Sequence, residues 1–134
     1  MRYGGNSRID ILLEDEARPP CYVEIKNVHL MRKAGLAEFP DSVTARGAKH
    51  LKELSGVAAS GARAVMVYFV QRGDAETFAL AGDIDPAYAA AFHEATALGV
   101  EALVLASSLT LEGLELPRAI PLVPRNTGNV APAP

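Results

Sequence analysis

Asp10, Glu24 and Lys26 are two carboxylates and an ammonium at separations that a strand hairpin would bring together. Side chains two apart in a strand share a face, so Glu24 and Lys26 project to the same side. A turn centred on Ala17 is equidistant from positions 10 and 24 and sets Asp10 across from Glu24, and cross-strand partners lie about 5 Å apart. Two carboxylates that close repel each other, and a divalent cation relieves the repulsion. Mg2+ (or Mn2+) suits such a site, taking one or two carboxylates together with waters and phosphate oxygens. The peptide carbonyl of Ile25 offers a further ligand. Lys26, one strand position away, is placed to hold an attacking water or to neutralise charge on a phosphorane-like transition state. These are the parts of a metal-dependent phosphodiester hydrolase. The same spacing also suits a surface hairpin in which Glu24 and Lys26 form a weak same-face pair and Asp10 is solvated, because E-x-K recurs in charged strands. The setting favours function: the run Cys21–Val28 (CYVEIKNV) is otherwise apolar enough to be buried, and a buried unpaired charge is costly.

A second group is Arg46, Lys49, His50 and Glu53, spaced i, i+3, i+4 and i+7. In a helix they form one polar stripe opposite the apolar face. With the apolar side on a sheet, Arg46, Lys49 and His50 are expected to reach phosphates flanking the scissile bond. The alternative is a solvated stripe with a Lys49–Glu53 pair worth a few tenths of a kcal/mol. A lone helical histidine is also an ordinary structural residue, and His29 and His93 show no ligand spacing. The chain has four Tyr, four Phe and no Trp, so base-specific stacking is not indicated.

The elements that must position these groups follow from periodicity. Arg8–Leu13 alternates, with Ile9, Ile11 and Leu13 on one face and Arg8, Asp10 and Leu12 on the other. Residues 14–20 read as a solvated turn ending in Pro-Pro, and Cys21–Val28 as the second strand of an antiparallel hairpin. Residues 28–40 have no clean period and read as a loop. A helix is expected over Ser42–Ser60, capped by Asp41 or Ser42 and ended by Gly61, with Val43, Leu51, Leu54 and Ala58 on its apolar side. Gly47 and Gly56 each cost such a helix about 1 kcal/mol relative to Ala, which points to a kink or to close packing. Ala64–Val70 (AVMVYFV) reads as a strand covered on both faces. Asp85 and Pro86 start a second helix as N-cap and first residue. Tyr88, Phe92 and Ala95 form its inner face, and Gly99 closes it. Val100–Ala106 is another apolar strand, with an edge strand expected over 109–116. The expected fold is α/β, a mixed central sheet with flanking helices in the order ββαβαβ. The expected division is one domain over 1–116 and a Pro-rich disordered tail over 117–134.

With 134 residues, 49% of them hydrophobic, the chain can build one compact domain. It contains no run long and apolar enough to span a membrane and no apolar signal segment at its start. With a single cysteine, Cys21, it is expected to be cytoplasmic. The net charge of −3 is unevenly spread. Arg18–Arg72 carries nine Lys or Arg against four acids, and Gly73–Pro117 carries eight acids and no Lys or Arg. That asymmetry would orient a phosphate backbone, though two ordinary solvated faces would look alike.

Four segments carry a resemblance: Tyr3–Asp10 (YGGNSRID), Tyr22–Val28 (YVEIKNV), Phe39–Leu51 (FPDSVTARGAKHL) and Asp83–Tyr88 (DIDPAY). Together they resemble the sugar fermentation stimulation protein A (SfsA) family over Tyr3–Leu116. The C-terminal domain of that family is similar to the PD-(D/E)XK, restriction-endonuclease-like fold. The resemblance implies that Asp10 takes the PD position, with Ile9 in place of the proline, and that Glu24-Ile25-Lys26 takes the (D/E)XK position. It also implies non-specific DNA binding, with RNA as a further target, and regulation of sugar (maltose) metabolism. Members are also described as DNA/RNA nucleases. The family carries an OB-like barrel and a helix ahead of this region. The resemblance therefore implies a truncated domain, with an inactive fragment as a further alternative.

Overall fold

The computed structural model describes residues 2–3, 7–8, 10–110, 113–114 and 116–124. Ile9 and residues 125–134 lie outside the described residues. Two two-residue strands, β1 (Arg2–Tyr3) and β2 (Ser7–Arg8), pair with each other. The predicted hairpin follows as β3 (Ile11–Asp15) and the eleven-residue β4 (Arg18–Val28). Its pairs Ile11–Val23, Leu12–Tyr22 and Leu13–Cys21 are each equidistant from Ala17, the register expected from the sequence. The turn is tightened by the Asp15 carboxylate, which accepts from the Ala17 amide at 2.8 Å.

Residues 28–40 are not a loop. They form β5 (Leu30–Lys33) and β6 (Leu36–Phe39), joined through Gly35 at φ 81°. The strands are four residues long and their register shifts between Leu30 and Lys33, which erases the alternation that would have marked them. After helix α1 (Ala45–Ala59) come β7 (Arg63–Val70) and β8 (Thr77–Leu80). Then follow α2 (Pro86–Ala97) and β9 (Glu101–Ala106), the short pair β10 (Leu109–Thr110) and β11 (Gly113–Leu114), and β12 (Arg118–Ala119).

The main sheet has the order β12-β9-β7-β4-β3, with β4, β7 and β9 parallel and both edges antiparallel. The expected order ββαβαβ is its backbone: β3, β4, α1, β7, α2, β9. A second sheet, β5-β6-β8, lies outside that expected order. The edge strand beside β9 is Arg118–Ala119 rather than 109–116, whose two short strands pair with each other. The segment expected to open a disordered tail therefore packs: Ile120 is buried, and the Phe78 amide donates to Pro121 while the Val123 amide donates to Phe78.

One face of β7 (Ala64, Met66, Tyr68, Val70) is fully buried with Leu51, Leu54, Tyr88 and Phe92 of the two helices. The second sheet joins the same core, with Phe78 stacked on Tyr68 at 4.8 Å. Val65, Val67 and Phe69 on the opposite face are only half-buried. Coverage of β7 on both faces is thus not what the described residues provide. Helix α2 keeps its expected signals: the Asp85 carboxylate accepts from Tyr88 N at 3.0 Å, Pro86 is the first residue, and Gly99 has φ 106°.

Helix α1 starts later than expected. Its cap is Thr44, whose hydroxyl accepts from Gly47 N at 2.9 Å. Asp41 and Ser42 precede it, and Val43 is 74% exposed rather than packed. The reason lies across the molecule: Asp85 Oδ2 accepts from Thr44 N at 2.8 Å, so one carboxylate fixes the start of both helices. Gly47 is required by packing, because a Cβ there would lie 2.9 Å from the Thr44 side chain and 3.0 Å from the Tyr88 ring. Gly56 faces open space.

Candidate functional site

Glu24 and Lys26 stand on the inner face of β4, beneath α1. Glu24 is 3% exposed, because its β7 neighbour is Met66 in the core row. Lys26 is the neighbour of Tyr68. The Lys26 ammonium lies 3.8 Å from Glu24 Oε1, an ion pair too long for a hydrogen bond.

Asp10 approaches from the side. Strand β3 begins at Ile11, and the preceding Asp10 bends so that its Oδ2 accepts from Ile25 N at 2.8 Å. It thereby takes the place of the next strand partner. In an extended strand the N–H and C=O of one residue leave on the same side, so the Ile25 carbonyl points toward Asp10. Asp10 itself is exposed, but its charge is felt by both Lys26 and His50.

His50 is not on the solvent side of α1. It is 6% exposed and belongs to the buried row Gly47, His50, Leu51, Leu54, Ser55. Its Nδ1 lies 3.2 Å from Glu24 Oε1 and 3.1 Å from Lys26 Nζ. The expectation that His50 contacts nucleic acid from a polar stripe is thus corrected: it faces the E-x-K pair. The signal was present, since 47, 50, 51, 54 and 55 keep helical spacing, but glycine and histidine disguised an inward stripe. Lys49 does point outward, its side chain 57% exposed, and pairs with Glu53 at 3.9 Å. Arg46 is exposed yet close enough that its charge acts on Lys26 and His50.

Burial is the main cause lowering the Lys26 pKa, opposed by Glu24 and Asp10. Burial also lowers that of His50, assisted by Lys26 and Arg46. His50 is accordingly a neutral imidazole near neutral pH. An ammonium only donates and a carboxylate only accepts, so the tautomer of His50 decides whether Nδ1 bonds Lys26 Nζ, at 3.1 Å, or Glu24 Oε1, at 3.2 Å. Below these groups, the Tyr68 and Tyr88 hydroxyls are 2.6 Å apart. Desolvation holds both phenols above their usual range. Among the described residues no three His, Cys, Asp or Glu side chains form a ready-made metal cage. No described helix is long and apolar enough to cross a membrane.

A mixed β-sheet with two helices on one face, and an acid at a hairpin edge beside E-x-K, is a nuclease-like α/β arrangement. The sugar fermentation stimulation protein RE domain matches residues 1–113, and the chain belongs to that family. A sugar fermentation stimulation protein homolog of Rhodospirillum centenum is 60% identical over 122 residues, and one of Ruegeria sp. is 60% identical over 121. These matches cover 91% and 90% of this chain and 52% of each relative, so the chain spans about half the length of the relatives it matches. The solved structure of Pyrococcus furiosus SfsA in complex with Ca2+ is similar, with a TM-score of 0.83 and 31% identity. The similarity covers 92% of this chain and 52% of that one.

Proposed function

We propose that this domain binds nucleic acid and hydrolyses its phosphodiester bonds at a divalent cation held by Asp10, Glu24 and the Ile25 carbonyl. The observation that carries the reading is the meeting of Asp10 with the Glu24-Ile25-Lys26 strand, through the 2.8 Å bond from Ile25 N to Asp10. Two carboxylates and a carbonyl are a hard oxygen donor set, which suits Mg2+ or Mn2+ completed by waters and phosphate oxygens. The Ca2+ in the similar P. furiosus protein supports a divalent cation in this family. When bound, the cation would supply Lewis-acid polarisation of the phosphate. Lys26 assists the attacking water or offsets the developing charge. Arg46 at the rim and Lys49 on the outer side of α1 hold flanking phosphates without reading bases.

The test is cleavage of plasmid DNA and of single-stranded RNA by the purified chain with Mg2+ or Mn2+. Activity is expected to fall at least about 100-fold in Glu24→Ala and Lys26→Ala; cleavage that survives both would sink the reading. A second reading is DNA binding without turnover, through which a role in sugar (maltose) metabolism would operate. It is favoured by the engagement of Glu24 Oε1 by His50 and Lys26 within the protein itself. Binding that declines steeply with salt, with no cleavage, is its signature.

A further inference from the structure

We infer that His50 is the positioning residue of the E-x-K pair, with its Nδ1 holding the Lys26 ammonium away from Glu24. The inference deepens the proposed site and rests on Glu24 and Lys26 being its working groups. Lysine has a flexible stem that readily shifts toward water or toward a nearby carboxylate. A direct ammonium–carboxylate hydrogen bond closes to about 2.8 Å, yet Lys26 stops at 3.8 Å from Glu24 Oε1. With its proton on Nε2, His50 offers Nδ1 as the acceptor within hydrogen-bond reach of Nζ, at 3.1 Å, among the described residues.

His50 can act as this anchor because its helix cannot drift. Gly47, one turn earlier, lets α1 close onto Tyr88. Asp85 ties the first residue before α1 to the start of α2, and Leu51 and Leu54 are fully buried beside it. A single nitrogen therefore sits on a rigid element against both members of the pair. With the ammonium held 3.8 Å from Glu24 Oε1, the carboxylate would be left to take a divalent cation. The same helix carries Arg46 at the rim and Lys49 on its outer side, so phosphate grip and site alignment reside on one element.

Replacement chemistry distinguishes this role from simple packing. The amide of Asn reaches the position of Nδ1, whereas that of Gln reaches the position of Nε2. In the chain labelled with 15N-lysine, the Lys26 Hζ–Nζ correlation is expected in slow exchange for the wild type and for His50→Asn. It is expected to disappear in His50→Leu and His50→Gln. Mn2+ affinity is expected to fall about tenfold in the latter two and to be retained in His50→Asn. Thermal melts on all three establish that they fold. A Lys26 signal that persists in His50→Leu, or that is lost alike in His50→Asn and His50→Gln, overturns the inference. Failure of the wild type to bind Mn2+ overturns the cation-site reading instead, and the lysine spectra still decide the role of His50.

Discussion

Glu24 and Glu38 are each 3% exposed, yet their partners differ in kind. Glu38 lies in the fork of Arg32, at 2.8 Å from Nε and 2.7 Å from the second guanidinium nitrogen, and the same arginine reaches Asp83 at 2.6 and 2.9 Å. Glu24 faces a lysine at 3.8 Å and a histidine at 3.2 Å. The Arg32 pKa is raised above an already high value by its two carboxylates, whereas those of Lys26 and His50 are lowered by burial. Both clusters meet the cost of burying a carboxylate. In one it fixes β5, β6 and the turn before α2 in a rigid planar geometry. In the other the partners are adjustable, and burial disfavours the charged form of both. That is the arrangement expected where a ligand must enter.

The largest expected effect tests that contrast by removing one cation from each cluster. Arg32→Leu strands a buried carboxylate and is expected to destabilise the fold by about 2–4 kcal/mol, the partial exposure of Arg32 keeping it at the low side of such losses. Lys26→Met relieves an ammonium of burial but withdraws a cation 3.8 Å from buried Glu24, and is expected to cost less, about 1–2 kcal/mol. Urea denaturation of both variants gives the comparison, and equal losses would erase the distinction. Next in size is Gly47→Ala. Its new methyl meets Thr44 and Tyr88, and a loss of about 1–3 kcal/mol by the same measurement is expected despite the better helix propensity. Gly56→Ala, into open space, should stabilise slightly.

A smaller effect concerns pH. The folded pKa of His50 lies below its ordinary value of 6.5. The unfolded chain therefore binds the proton first as pH falls, and stability declines with falling pH from about 6.5 toward the folded pKa. The slope is at most about 1.4 kcal/mol per pH unit, and His50→Asn should remove it. Arg32 stays ionised throughout and contributes no slope in that window. Smallest is Lys49→Ala. Loss of the 3.9 Å pair with the largely buried Glu53 side chain costs about 0.5–1 kcal/mol, while the salt dependence of DNA binding, read from log Kd against log salt, should flatten by about one ion.

The hairpin register was legible because Ala17 sits at a turn flanked by β-rich segments, and the apolar alternation leaves one consistent pairing. Helix α2 announced itself through Asp85-Pro86 and Gly99, which act locally. What could not be read depended on distant partners. Thr44 outcompetes Asp41 and Ser42 as the cap of α1 because Asp85, 41 residues away, holds its amide. The strands of the second sheet are too short, and β5 too irregular, to show a period. His50 shares helical spacing with the polar Arg46, Lys49 and Glu53 as well as with the buried Gly47, Leu51 and Leu54, so residue type alone places it on the solvent stripe. Its place on the inner face of α1 follows from the closeness of Gly47 to Tyr88, which is a tertiary fact.

Whether Asp10 and Glu24 form one cation site is tested most directly by calorimetric titration of Mn2+ or Mg2+ into this chain and its Asp10→Ala and Glu24→Ala variants. Saturable binding in the parent chain, weakened at least about tenfold in each variant, is the predicted result. Binding that persists in both variants would contradict it.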